Sequence, residues 1–125
     1  MKTEKITFEE TIEWFQTTDY MGAIGLTVKF PVPEKNVEEF VSFLEDYTSY
    51  VVQEKGCIDF GFNRDWKNSN EFWLTERWES VSILLEHLGP NARKGTKYEG
   101  DTPLKIMAKL GAKPDPAAIF LLGLK

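Results

Sequence analysis

The chain has 125 residues, the size of one domain, and its 42% apolar and 28% charged residues are the balance of a globular protein with a sizeable core. A formal net charge of −5, with no lysine or arginine cluster to override it, excludes a nucleic-acid partner, because phosphate binding needs a basic surface. One cysteine, Cys57, excludes an internal disulfide framework and a cysteine-based zinc site, and no apolar run approaches the ~20 residues that span a bilayer; the expectation is a cytoplasmic protein with no membrane partner.

Residues 1–20 are expected to form an N-terminal helical extension, and residues 21–125 the domain proper. In "TFEETIEWFQT", Thr7 and Glu10 have capping-box spacing, and Phe8, Ile12 and Phe15 share a helical face. Met21–Val32 alternates as a strand, with Ile24, Leu26, Val28 and Phe30 on one side; Pro31 and Pro33 end it, since proline cannot donate to a ladder. From Glu34 to Lys55, Val37, Phe40, Val41, Leu44, Tyr47 and Val51 make a helical stripe, opposite Glu38, Glu39, Glu45 and Asp46. Gly56 closes that helix.

A hairpin follows. Ile58, Phe60 and Phe62 alternate with Cys57, Asp59, Gly61 and Asn63, and "DWKNSN" supplies turn formers. Phe72, Leu74, Glu76 and Trp78 then alternate with Trp73, Thr75, Arg77 and Glu79. Large residues on both faces predict a sheet covered on both sides. Ser80 caps the helix "VSILLEHL", which Gly89 and Pro90 end. "GPNARKGTKYEGD" reads as loop, "TPLKIMAKL" as a short helix with Pro103 in its first turn, and "AAIFLLGLK" as a closing apolar strand.

Without the first helix and the one after the glycine-rich loop, the order is βαββαβ, the ferredoxin-like unit of the α+β class. It predicts one antiparallel sheet with helices on one face. The other face, read as apolar and bare, predicts a dimer with two sheets packed face to face.

The stretch "EKGCIDFGFNRDWKNSNEFWLTERWESVSILLEHL" resembles the antibiotic biosynthesis monooxygenase family. The matching features are the helix-ending Gly56-Cys57, the polar turn from Asp65 to Asn70, the strand end Glu76-Arg77-Trp78-Glu79-Ser80, and Glu86-His87-Leu88 on the next helix. The match runs from about Lys55 to Leu88, with a compatible topology from Met21 onward. The N-terminal extension and the residues after Gly89 depart from the usual pattern. The resemblance implies a dimeric α+β barrel, a homodimer with a small-molecule site between each sheet and its own helices. Some members oxidise phenols or quinols with O₂ and use no metal or flavin cofactor. Related barrels degrade haem, and many members have no established activity, so a non-catalytic barrel that binds a hydrophobic ligand stands as the alternative.

Within that resemblance, Glu76 and His87 are the candidate catalytic groups, and Trp78, Leu74, Phe72 and Phe62 the candidate substrate-binding ones. Glu76 and Trp78 share strand parity. The indole could donate to a substrate oxygen while Glu76 accepts a proton or orients a hydroxyl. Alternatively Trp78 is core and Glu76 pairs with Arg77 or with an arginine across the interface. His87, the only histidine, could deprotonate a phenol, meet the dipole of its helix end, or ligate haem. Cys57 reads as a small buried hydrophobe. The basic loop "ARKGTKYEG" reads as an anion site, a lid or a solvated loop. No metal-binding motif, dinucleotide fingerprint, phosphate loop or serine elbow is present.

Overall fold

The computed structural model describes residues 6–123; the first five residues of the expected extension and the last two of the expected final strand lie outside the described residues. The elements are α1 (Phe8–Thr17), β1 (Ile24–Pro31), a 3-10 turn (Glu34–Asn36), α2 (Val37–Val51), β2 (Cys57–Arg64), β3 (Glu71–Trp78), α3 (Val81–Leu88), α4 (Pro103–Ala108) and β4 (Asp115–Leu121). The ferredoxin-like α+β fold is as expected: the sheet order is β2-β3-β1-β4, and every neighbouring pair is antiparallel.

Local chemistry sets the helix starts. Thr7 accepts the Glu10 N–H at 3.1 Å, Ser80 that of Ile83 at 3.1 Å, and Thr102 that of Lys105 at 3.2 Å. The helix read over Glu34–Lys55 begins with the 3-10 turn and becomes α-helical from Val37 to Val51. At the other edge, β4 starts two residues earlier than its apolar run, at Asp115. Its ladder with β1 skips Ala117, so Pro116, which lacks an N–H, sits beside a bulge on an edge strand.

Register aligns the inward face. Ile24 lies opposite Trp78, Leu26 opposite Glu76, Val28 opposite Leu74 and Phe30 opposite Phe72. Phe60 continues the row opposite Glu76. Onto this face pack Phe40, Leu44, Tyr47 and Val51 of α2 and Val81 and Leu84 of α3, all buried. Full burial of a side chain such as Phe40 is worth roughly 1.5–3 kcal/mol. Phe15 of α1 and Ile106 and Met107 of α4 join the same core.

The outward face differs from expectation. It is not apolar, and among the described residues no helix covers it. Strand alternation places Thr27, Lys29, Trp73, Thr75, Arg77, Asp59 and Asn63 there, with Phe120 on β4. Charge pairs organise it: Arg77 Nε donates to Asp59 Oδ2 at 2.7 Å, and Lys29 Nζ lies 3.5 Å from Glu71. The large residues on both sides of β3 therefore split into a buried set (Phe72, Leu74, Trp78) and a half-buried Trp73 whose Nε1 donates to Asp65 at 2.9 Å. Asp65 also accepts the Lys67 and Asn68 N–H groups at 3.0 and 2.9 Å, which fixes the hairpin turn. These three donors hold its carboxyl below the usual range.

Gly56 joins α2 to β2 with φ +79°, and a Cβ there would lie 2.5 and 2.7 Å from Ile83 Cδ1 and Cγ2. Gly95 has a similar φ of +84° but open space around it. Gly95→Ala is expected to cost about 1 kcal/mol of backbone strain, and Gly56→Ala clearly more, about 2–3 kcal/mol, because Ile83 must move. Chemical denaturation of both variants checks this; equal losses would show that the approach of Gly56 to α3 carries no weight.

Candidate functional site

β3 puts Glu76 on the helix-facing side, between the inward residues Leu74 and Trp78. Glu76 is 4% exposed. Glu76 Oε1 accepts the Trp78 indole N–H at 2.7 Å, two residues along the same strand. Burial pushes the carboxyl above the usual carboxylate range; nearby His87 and the indole N–H pull the other way without cancelling it. Glu76 thus does not pair with Arg77. That guanidinium lies on the opposite face and is taken by Asp59, as strand parity requires.

His87 is buried on the last turn of α3. Its ring stacks on Trp78 with centroids 4.5 Å apart and an interplanar angle of 29°, and meets Phe60 edge-on at 5.6 Å. Nδ1 lies 2.9 Å from Glu54 Oε1, just past the end of α2. The other oxygen, Glu54 Oε2, accepts from Arg93 Nη1 at 3.0 Å. Arg93 is 2% exposed and also donates to the carbonyls of His87 (3.2 Å), Gly89 (3.1 Å) and Asp101 (3.1 Å). The basic loop is therefore not wholly solvated; one of its cations is an internal anchor. Beneath it, the Tyr47 ring lies 5.8 Å from the guanidinium. Among the described residues, Tyr47 Oη and Arg93 Nε are buried with no hydrogen-bond partner. Burial drives the Tyr47 phenol well above its ordinary range.

Glu76 and His87 meet at a narrow cavity of about 50 Å³ between the sheet and its helices. Leu26, Val28, Leu74 and Phe60 form the sheet wall, Leu84 and Leu88 one side, and α1 and α4 the cover through Phe8, Thr11, Phe15 and Met107. The lining is apolar except for Thr11, Glu76 and His87. Of the residues picked from sequence, Glu76, His87 and Leu74 converge here. Trp78 stands behind the wall, holding Glu76 and stacking on His87. Phe62 and Phe72 instead line a separate, more open groove of about 590 Å³ between α2 and β2, with Val41, Leu44 and Arg64.

Sequence reasoning missed Glu54, Arg93 and the cover residues. Glu54 lies off the apolar stripe of α2, and Arg93 looks like one more loop cation. Their only sequence signal is proximity to a helix end and to His87. Cys57, half-buried at the start of β2, has its thiol pushed up to about 11 by burial and so stays protonated at neutral pH. Among the described residues no group of three or more His, Cys, Asp or Glu is placed to hold a metal ion, and no helix is long and apolar enough to cross a membrane.

Solved structures with this fold include a conserved protein of unknown function from Bacteroides thetaiotaomicron, 22% identical, TM-score 0.62, covering 81% of this chain and 98% of its own. A conserved protein from Methanosarcina mazei is 20% identical, TM-score 0.60, covering 82% and 94%. A candidate antibiotic biosynthesis monooxygenase from Deinococcus radiodurans is 16% identical, TM-score 0.63, covering 82% and 94%. At these identities the likeness speaks for the fold alone. No curated protein matches the chain significantly. The family described as "Antibiotic biosynthesis monooxygenase" matches residues 23–95, more than half of the chain, from just before β1 into the loop after α3. The chain belongs to the antibiotic biosynthesis monooxygenase family.

Proposed function

We propose that the cavity binds a small phenol- or quinol-type aromatic molecule and that the protein is a monooxygenase that oxidises it with O₂, without metal or flavin. The observation that carries this reading is the pairing of Glu76 and His87 in a cavity otherwise almost wholly apolar. A protonated Glu76 accepts the indole N–H at Oε1 and keeps Oε2–H to donate; a neutral imidazole can accept. A hydroxyl-bearing, carbonyl-bearing aromatic ring answers both groups. His87 takes the ligand's hydroxyl or enol proton, and the resulting oxyanion is electron-rich enough to give an electron to O₂. For an anthrone the balance is CH₂ plus O₂ giving C=O plus H₂O; the substrate supplies every electron. Leu74 forms part of the ring's apolar seat, and Trp78 fixes both polar groups.

The cavity is smaller than the about 150 Å³ that holds a benzene ring, so binding an aromatic ligand requires the cover of α1 and α4 to move outward. In this reading the N-terminal extension covers the site of the 21–125 domain through α1. O₂ uptake measured with a panel of hydroquinones and anthrones tests the activity. The wild type is expected to consume O₂, and His87→Gln to lower turnover by about 10²–10⁴-fold. Ligand binding seen by Trp fluorescence without O₂ uptake would replace the enzyme with a binding barrel; undiminished turnover in His87→Gln would remove the base.

The donor role of Glu76 has its own check. Its folded carboxyl titrates above its unfolded value, so its stabilising contribution is full below the ordinary carboxylate range and is lost as pH rises through the folded value. Glu76→Gln keeps the acceptor for Trp78 and does not titrate. The stability of the wild type relative to Glu76→Gln is therefore expected to fall as pH rises above the ordinary carboxylate range in parallel denaturation series. A constant difference would mean that Glu76 ionises alike in both states, and the donor role would go.

We further propose a homodimer joined through the outward sheet faces. Half-buried Trp73, Phe120 at 50% exposure and the Arg77–Asp59 pairs support an interface of mixed polarity there. Sedimentation should give twice the chain mass for the wild type and a shift toward monomer for Phe120→Lys; a wild type that stays monomeric at high concentration would refute the dimer.

A further inference from the structure

The reading of His87 as a base leaves open which ring nitrogen is bare, and the contacts decide it; this inference rests on that reading and deepens it. Among the described residues, both polar contacts of the ring fall on Nδ1: Glu54 Oε1 at 2.9 Å and Arg93 Nη1 at 3.4 Å. A guanidinium only donates and a carboxylate only accepts, so the two neighbours ask opposite things of Nδ1. The shorter contact prevails. A bare Nδ1 would set its lone pair against that of Oε1 at 2.9 Å, whereas Nδ1–H makes a charge-assisted hydrogen bond of ordinary length. Arg93 at 3.0 Å from Oε2 places a counter-charge beside the Glu54 carboxylate in a buried setting. The titratable and charged groups packed around this cluster are Glu54, Arg93, Glu76 and Tyr47. The Arg93 and Glu54 charges offset each other within the cluster.

We propose that Glu54 is a positioning residue: it holds His87 in the Nδ1–H tautomer, so that the Nε2 lone pair is the one offered to the cavity, and it steadies the imidazolium formed there. In that step the ligand O–H bond breaks and Nε2–H forms. The ligand becomes an oxyanion, His87 becomes a cation whose Nδ1–H points at Glu54, and no electron changes hands. Trp78 and Phe60 fix the plane of the ring, and Glu54 fixes which edge carries the proton. Free imidazole side chains in water favour the Nε2–H form, so the tautomer is a property that Glu54 must impose.

His87 is the only histidine in the chain, so its two ring nitrogens give an unambiguous long-range ¹H–¹⁵N spectrum. At pH about 8, above the usual imidazole titration, the wild type should show a protonated Nδ1 and a pyridine-like Nε2. Glu54→Leu should revert toward Nε2–H or show fast exchange. Glu54→Gln fills the same space but has one acceptor oxygen for two donors; with that oxygen on Arg93 Nη1 its amide N–H faces Nδ1, so this variant too should move the proton toward Nε2. Where quinol oxidation is measurable, turnover should drop about tenfold or more in both Glu54→Leu and Glu54→Gln. An Nε2–H wild type, or a tautomer unchanged in Glu54→Leu, overturns the proposal. The spectrum needs no substrate, so a chain that oxidises nothing yet shows Nδ1–H lost on Glu54→Leu would sink the oxidation reading and uphold the positioning role.

Discussion

A carboxyl group in the middle of an apolar sheet face must be neutral, partnered, or both, and much of the interior follows from how that demand is met at Glu76. Strand alternation leaves no escape. Leu74 and Trp78 flank Glu76 on the inward side of β3, and turning the carboxyl outward would expose both of them. The partner comes from the same strand: Trp78 donates its indole N–H at 2.7 Å. This gives the largest side chain of the inner sheet face a satisfied polar atom, and it orients the carboxyl with one oxygen engaged. The same indole plane then supports His87. One bond thus couples the position of a strand carboxyl to that of a helix imidazole.

A second buried pair secures the arrangement from the other side. Glu54 and Arg93 bring opposite charges into a poorly hydrated region, where either alone would cost several kcal/mol. The geometry offsets that cost with five-fold use of polar groups: Arg93 serves Glu54 and three backbone carbonyls, while Glu54 serves Arg93 and His87. The carbonyls belong to His87, Gly89 and Asp101, so the guanidinium satisfies the end of α3 and fastens the long loop that follows it. This is why a loop rich in glycine and lysine holds a defined course. The end of α2, the end of α3 and that loop converge on one cation.

What was legible in the sequence follows from which interactions are local. Capping by Thr7, Ser80 and Thr102, the stripe of α2 and the parity of β3 are set within a few residues, and each was readable. The shared face of Glu76 and Trp78 was readable for the same reason, but their mutual hydrogen bond was not singled out, because i and i+2 on a strand are rarely seen as donor and acceptor. Glu54 and Arg93 escaped notice since a contact 39 residues apart leaves no periodic trace. The outward face differs from the sequence expectation because Trp73 is large but alone there on β3, between Glu71, Thr75 and Arg77. Phe62 and Phe72 have the right parity for the inner face, yet they sit nearer the far end of the hairpin and line the groove under α2 instead. Parity fixes the face; position along the strand fixes the cavity.

The division of labour along the chain follows from the same geometry. Residues within the family match supply the polar groups and the sheet wall: Glu54, Glu76, Trp78, His87 and Arg93 all lie between 23 and 95. The cover is drawn from outside it, from Phe8, Thr11 and Phe15 on one side and Pro103, Met107 and Pro116 on the other. The polar groups and the cover of the cavity are therefore carried by different stretches of sequence. Short helices such as α4 bury few residues and cost little to displace compared with α2, which is held along four turns by Phe40, Leu44, Tyr47 and Val51. The cover is thus the more easily displaced side of the cavity, while the Glu76–Trp78–His87 arrangement is held between the sheet and α3. The width of the cavity is then set by the apolar side chains of α1 and α4, and its polar character by Glu76 and His87 on β3 and α3.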